Sequence, residues 1–166
     1  MIIKKITIEN FLCYYGVKEF ELSDGLNIVL GENGEGKTKF FDALEWLFKR
    51  SGEDLNKLIS AKAYGEIDEG AEFKVKVAIT TEQFNEKQTI SKSFTVKKLA
   101  DNEAETSSLT LQGVIEDLKT GERTPEDGQR LLDRIFPSEI RRYSMFKGES
   151  ELDIFQNTDA LEILIN

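Results

Sequence analysis

An α/β fold with a mixed sheet and antiparallel hairpins is predicted for this chain by three observations. Leu26-Asn27-Ile28-Val29-Leu30 is a short, almost wholly apolar run, the pattern of a strand buried on both faces of a parallel sheet. After a glycine-rich turn, Phe40, Phe41, Leu44, Leu47 and Phe48 recur at helical spacing through Arg50, which predicts a helix with a broad buried face. Further on, Phe73, Val75, Val77 and Ile79 alternate strictly with polar neighbours, and Ile90, Phe94 and Val96 form a second such strand, so the two predict an antiparallel hairpin.

The remaining elements follow in order. Ile6 and Ile8, then Phe20 and Leu22 before the Ser23-Asp24-Gly25 turn, predict two strands ahead of the buried one. Residues 51–70, rich in Gly, Asp and Glu, read mostly as loop, with a short helix around Leu55 to Ile59. Residues 100–106 are acidic and read as a loop tip, Leu109 and Leu111 as a strand, and Lys119-Thr120-Gly121-Glu122 as a turn. A helix is predicted to be capped by Thr124, with Pro125 at its first position and Asp127 three residues after the cap. Leu131, Leu132, Ile135 and Phe136 supply its apolar side, and Pro137 ends it. Ile140 to Phe146 reads as a strand, and Leu161, Leu164 and Ile165 stand at helical spacing at the end of the sequence.

Between the apolar run and the first helix stand Gly31-Glu32-Asn33-Gly34-Glu35-Gly36-Lys37-Thr38, the pattern Gly-x-x-x-x-Gly-Lys-(Ser/Thr) of a phosphate-binding P-loop in the strand–loop–helix context it needs. Gly31, Gly34 and Gly36 let successive backbone N–H groups turn inward as an anion nest. The helix starting near Gly36 adds free N–H donors and its positive dipole end. Lys37 is the candidate catalytic residue, reaching the β- and γ-phosphates of ATP, and the Thr38 hydroxyl is a candidate Mg²⁺ ligand. Glu32, Asn33, Gly34, Glu35, Gly36, Lys37, Thr38 and Lys39 form the candidate nucleotide-binding set. Glu35 is the awkward member, since a carboxylate beside the nest repels what the nest attracts, and it is expected to point to solvent.

Composition bounds the rest. The 166 residues suit one domain of ordinary size. A net charge of −9, from 22 basic and 31 acidic side chains, argues against a surface that grips nucleic acid all over. Lys4-Lys5, Lys97-Lys98 and Arg141-Arg142 are only pairs, and read as solvated faces. With no histidine and one cysteine, an imidazole or thiolate metal site and Ser-His or Cys-His catalysis lack their residues. No secretory h-region or long apolar span is present, so a cytoplasmic protein without a membrane partner is expected. Trp46 reads as core packing, and Cys13 as a small buried hydrophobe. Tyr14 and Tyr15 lie where either base contact or edge-strand packing is open.

Hydrolysis on such a loop normally needs an acid at the end of a second apolar strand, yet no run of four apolar residues here leads into Asp-Glu. Asn56-Lys57-Leu58-Ile59 lacks the acid of a guanine-reading motif, which argues against a GTPase. The ATP site reads as half of a composite one.

The stretch Ile6 to Arg50 resembles the N-terminal lobe of the ABC-type ATPase heads of the SMC, RecF and double-strand-break-repair class. Glu9-Asn10-Phe11, Gly31 to Thr38 and Asp42-Ala43-Leu44 match that class in order and spacing. Tyr14-Tyr15-Gly16 and Phe146-Lys147-Gly148-Glu149 bring it nearest to a DndD-like branch. The resemblance implies an N-terminal ATPase lobe over 1–155, with 156–166 starting a helix towards a coiled coil. It also implies a C-terminal lobe of the same protein as partner, a homodimer of heads on ATP binding, and DNA as the target of the full assembly, in repair, modification or phage defence. This chain alone is then expected to be inactive. Phe146 to Glu149 resembles the Q-loop, with Lys147 in the usual place of Gln; a lysine ammonium cannot ligate Mg²⁺, so Glu149 becomes the candidate metal ligand. Leu12 stands where some relatives carry a basic residue. Two other readings stay open: a small P-loop kinase acting on a metabolite, and a non-catalytic interaction module with a vestigial loop.

Overall fold

The computed structural model describes residues 2–32, 36–49, 52, 54–100 and 103–137. In chain order they form β1 (Ile2–Glu9), β2 (Val17–Glu21), α1 (Lys37–Phe48), a 3-10 turn (Leu55–Leu58), α2 (Ala61–Glu66), β3 (Glu72–Gln83), β4 (Glu86–Lys98), β5 (Ala104–Thr106), β6 (Thr110–Asp117), β7 (Arg123–Asp127) and α3 (Gly128–Ile135). The strands make one seven-stranded sheet in the order β2-β1-β3-β4-β6-β7, with β5 also on β4. Every pairing among the described strands is antiparallel.

Period-two alternation decides which face is buried. Ile6 pairs with Ile79 and Ile8 with Val77, Ile79 with Ile90, and Val75 with Phe94, so these side chains share one face. That face carries the core, closed by Phe40, Ala43, Leu44, Trp46 and Leu47 of α1 and by Leu131 and Leu132 of α3. The opposite face is hydroxyl-rich and charged, with opposite charges set across strands, as Glu9 with Lys76 and Glu72 with Lys97. The β3–β4 hairpin and the apolar side of α3 are as the sequence predicts; α1 buries Phe40, Leu44 and Leu47 as expected, but Phe41, placed on the same face, is 40 % exposed, and the helix ends at Phe48. Gly128 and Gly113 let α3 press onto β6: a Cβ on Gly128 would lie 2.6 Å from the Leu111 backbone, and one on Gly113 2.8 Å from Leu131 Cδ2.

Four expectations are corrected. Leu26–Leu30 is not a strand among the described residues, and its side chains are exposed: Leu26 86 %, Ile28 69 %, Val29 40 % and Leu30 86 %. A local cause is Asn27, whose side chain accepts from the Ser23 N–H (2.9 Å) and donates to the Ser23 (2.9 Å) and Gly25 (3.2 Å) carbonyls, turning the chain off the β2 line. Thr124 and Pro125 lie in β7, paired with Ile115 and Val114, and Asp127 is the cap of α3, accepting from Arg130 N at 2.8 Å. An edge strand tolerates the missing proline N–H, so the Thr-Pro signal for a helix start yields to strand pairing. Residues 104–106 form β5 rather than a loop tip, and the loop expected over 51–70 contains α2. The expected strand at Ile140–Phe146 and the terminal helix from 156 lie outside the described residues.

Candidate nucleotide site

The site is built where the chain enters α1. Gly36, at φ 92°, is the residue preceding the helix, a left-handed conformation that favours glycine. Among the described residues no side chain caps the helix, its first turn holds no acid, and Lys37 and Lys39 sit at its positive dipole end. That arrangement opposes the usual preference by some tenths of a kcal/mol per charge. It suits an incoming anion, so these residues fit a nucleotide's phosphates. Lys37 Nζ donates to the carbonyls of Gly31 and of Glu32 (2.7 Å), folding over its own loop. Thr38 is exposed, and Lys39 pairs with Asp42 at 3.0 Å. Asn33, Gly34, Glu35 and Glu149 lie outside the described residues, as does the whole Phe146 to Glu149 segment.

The Asn-Phe signature after β1 has a structural job. Asn10, at φ 50°, accepts the Gly16 N–H on its side-chain oxygen (2.9 Å), donates its own backbone N–H to the Gly16 carbonyl (3.2 Å), and donates from Nδ2 to the Lys74 carbonyl (2.9 Å). Phe11 is fully buried, its ring 5.2 Å from that of Trp46. The loop so closed carries Cys13 and Tyr14 to the phosphate loop. A Cβ on Gly36 would lie 2.7 Å from Cys13 Sγ, and Tyr14 Oη donates to the Gly36 carbonyl at 3.1 Å. Cys13 is exposed, which corrects the expectation of a buried hydrophobe: it sits against backbone at the surface. Tyr14 packs edge-on against Phe20 of β2, and burial, with Cys13 beside it, pushes its phenol up to about 12.

Other singled-out residues separate cleanly from the site. Trp46 is core, between Phe11 and Phe94. Tyr15 is exposed, with Lys62 4.5 Å from its ring centroid, and Glu66 raises its pKa by hydrogen bonding. Lys4 pairs with Asp24 and Lys5 with Glu19, while Lys98 turns onto the Tyr64 and Ile67 carbonyls, so these lysines form no shared basic patch among the described residues, and Arg141-Arg142 lies outside them. Beside α1 a groove of about 470 Å³ is lined by Leu12, Lys39, Asp42, Glu45 and Lys57 among others, with both charge signs mixed. Sequence reasoning missed the Tyr14–Gly36 link, because residues 22 apart meet only through the sheet. It also missed Lys92, a buried lysine whose polar type gave no hint of an inward position.

A family model described as AAA domain matches residues 5–166. Structural maintenance of chromosomes protein 6 of Takifugu rubripes is 32% identical over 79 residues, which are 48% of this chain and 7% of that protein. Chromosome partition protein Smc of Desulfitobacterium hafniense (strain Y51) is 40% identical over 45 residues, 27% of this chain and 4% of that protein. The matches therefore take in only a small part of these relatives' length. Among solved structures, one from work on ATP-driven dimerization and DNA stimulated activation of SMC ATPases superposes with a TM-score of 0.55 at 18% identity, covering 99% of this chain and 98% of that one. The chain belongs to the AAA domain family and has an SMC-like P-loop ATPase fold, that of the N-terminal lobe.

Proposed function

We propose that this chain is the ATP-binding lobe of an SMC-like ATPase that acts on DNA, and that it hydrolyses ATP only after pairing with a C-terminal lobe and a second head. The observation that carries this reading is the phosphate loop at the uncapped start of α1, preceded by an apolar segment whose side chains are left in solvent. Lys37 would leave the Gly31 and Glu32 carbonyls for the phosphates, a short swing for a flexible four-carbon stem. Thr38, an exposed residue, would hold Mg²⁺ through its hydroxyl, and Gly36 would keep the backbone open to phosphate oxygens. ATP and Mg²⁺ supply the transferable phosphoryl group and the charge that neutralises it.

Exposed apolar segments of this length in a folded chain mark interaction surfaces. Leu26 to Leu30 has the composition of a strand buried on both faces, and a C-terminal lobe supplying neighbouring strands would bury it. ATP-driven dimerization and DNA stimulation, described for the solved SMC ATPases, fit a chain in whose sequence no run of four apolar residues leads into Asp-Glu. Repair, DNA modification or phage defence in the cytoplasm is the proposed setting, in a DndD-like branch. The test measures ATP binding and turnover with and without the downstream half of the protein. Binding by this chain, with turnover appearing only in the paired protein, is expected; strong turnover by the chain alone would sink the composite-site reading.

A further inference from the structure

We infer that Tyr14 is a positioning residue for phosphate binding, holding through its hydroxyl the peptide unit that aims the Lys37 N–H out of the start of α1. This rests on the nucleotide reading above and deepens it. The Gly36 carbonyl accepts two hydrogen bonds, from Phe40 N at 3.0 Å and from Tyr14 Oη at 3.1 Å, which fills both lone pairs of the oxygen. A trans peptide is planar, so the C=O of Gly36 and the N–H of Lys37 point in opposite directions. Fixing the carbonyl along the helix fixes the N–H towards the phosphate nest.

Gly36 needs such a hold. At φ 92° with no Cβ, it has more freedom to rotate away than any other residue type would have. Tyr14 is in turn immobilised: its ring lies edge-on to Phe20 (6.0 Å), and Phe20 edge-on to Phe40 of α1 (5.0 Å). The loop that presents it keeps Asn10 and Leu12 in left-handed conformations, held by the Asn10–Gly16 bonds. Residues so strained persist where surrounding structure over-determines them, and here the outcome is one hydroxyl placed on one carbonyl. Burial pushes the phenol up to about 12, so it remains a donor throughout the physiological range.

The experiment compares Tyr14→Phe with wild type by calorimetry, using Mg-ATP and inorganic tripolyphosphate as separate probes. Removing one hydroxyl while keeping the ring is expected to weaken both ligands by the same factor, about five- to tenfold, with little change in Tm. Phe48→Leu serves as the control for stability, because it loosens aromatic packing against Phe136 at the far end of α1 and leaves the ring contacts of Tyr14 in place. Unchanged affinity in Tyr14→Phe overturns the inference, as does a loss for ATP without a loss for tripolyphosphate, which would put Tyr14 on the base. A loss no greater than Phe48→Leu produces at an equal drop in Tm also overturns it. Absence of binding by the wild type to either probe would remove the nucleotide reading itself, and this inference with it.

Discussion

Lys92 and Trp46 are joined twice: Lys92 Nζ donates to the Trp46 carbonyl at 2.7 Å and lies 4.8 Å from the centroid of the same residue's indole ring. The lysine is 2 % exposed and also donates to the Lys49 carbonyl at 2.7 Å. A cation from the middle of β4 therefore satisfies carbonyls at the end of α1, where the helix dipole is negative. The helix that begins at the phosphate loop is tied to the sheet at its far end.

Lys92→Met keeps most of the stem's volume and removes the charge, leaving the buried Trp46 carbonyl and the partly buried Lys49 carbonyl without this donor. A loss of about 2–3 kcal/mol in urea unfolding is expected, the range for charged hydrogen bonds lost in a buried setting. A change below about 0.5 kcal/mol would show that the α1 carbonyls find other donors.

Lys37→Ala is expected to abolish measurable ATP binding while stability stays within about 0.5 kcal/mol of wild type, since the lysine Nζ bonds to the Gly31 and Glu32 carbonyls of its own loop. Calorimetric titration paired with thermal unfolding checks both halves.

Gly36→Ala places a Cβ 2.7 Å from Cys13 Sγ and forces alanine into φ 92°. The exposed thiol can turn away, so the backbone term dominates, about 1–2 kcal/mol. ATP affinity should fall with it. Adding Cys13→Ala is expected to recover little, and full recovery by the double variant would assign the effect to the thiol contact instead.

Ile28→Asp changes a side chain that is 69 % exposed. The stability of this chain is expected to stay within about 0.5 kcal/mol, while association with the downstream half weakens by tenfold or more. Equal association, measured by co-purification and titration, would detach the apolar segment from lobe pairing.

The Tyr14 phenol, pushed up to about 12 by burial, binds its proton more tightly folded than unfolded, where it titrates near 10. Its contribution is therefore complete below about pH 10 and is lost as pH rises towards 12. Urea unfolding at pH 9 and pH 11.5 should show a steeper alkaline loss in wild type than in Tyr14→Phe; matching slopes would mean that the phenol is not held in that way.

The sequence by itself determined what is local. The loop from Gly31 to Thr38 reads from residue type alone, because the loop's chemistry depends on glycine and lysine at fixed spacing. The α1 stripe of Phe40, Leu44 and Leu47 and the alternation of β3 and β4 read from period, because one face of each element is buried. Tertiary structure decided what depends on partners. Whether Leu26–Leu30 pairs is a matter of which strands lie beside it, and periodicity carries no information about neighbours. Thr124 lost its cap to Asp127 because pairing with β6 outweighed a helix-start signal. Lys92 is buried because α1 presents free carbonyls to β4, and Tyr14 meets Gly36 because the sheet and the Asn10 loop bring together residues that the chain keeps far apart.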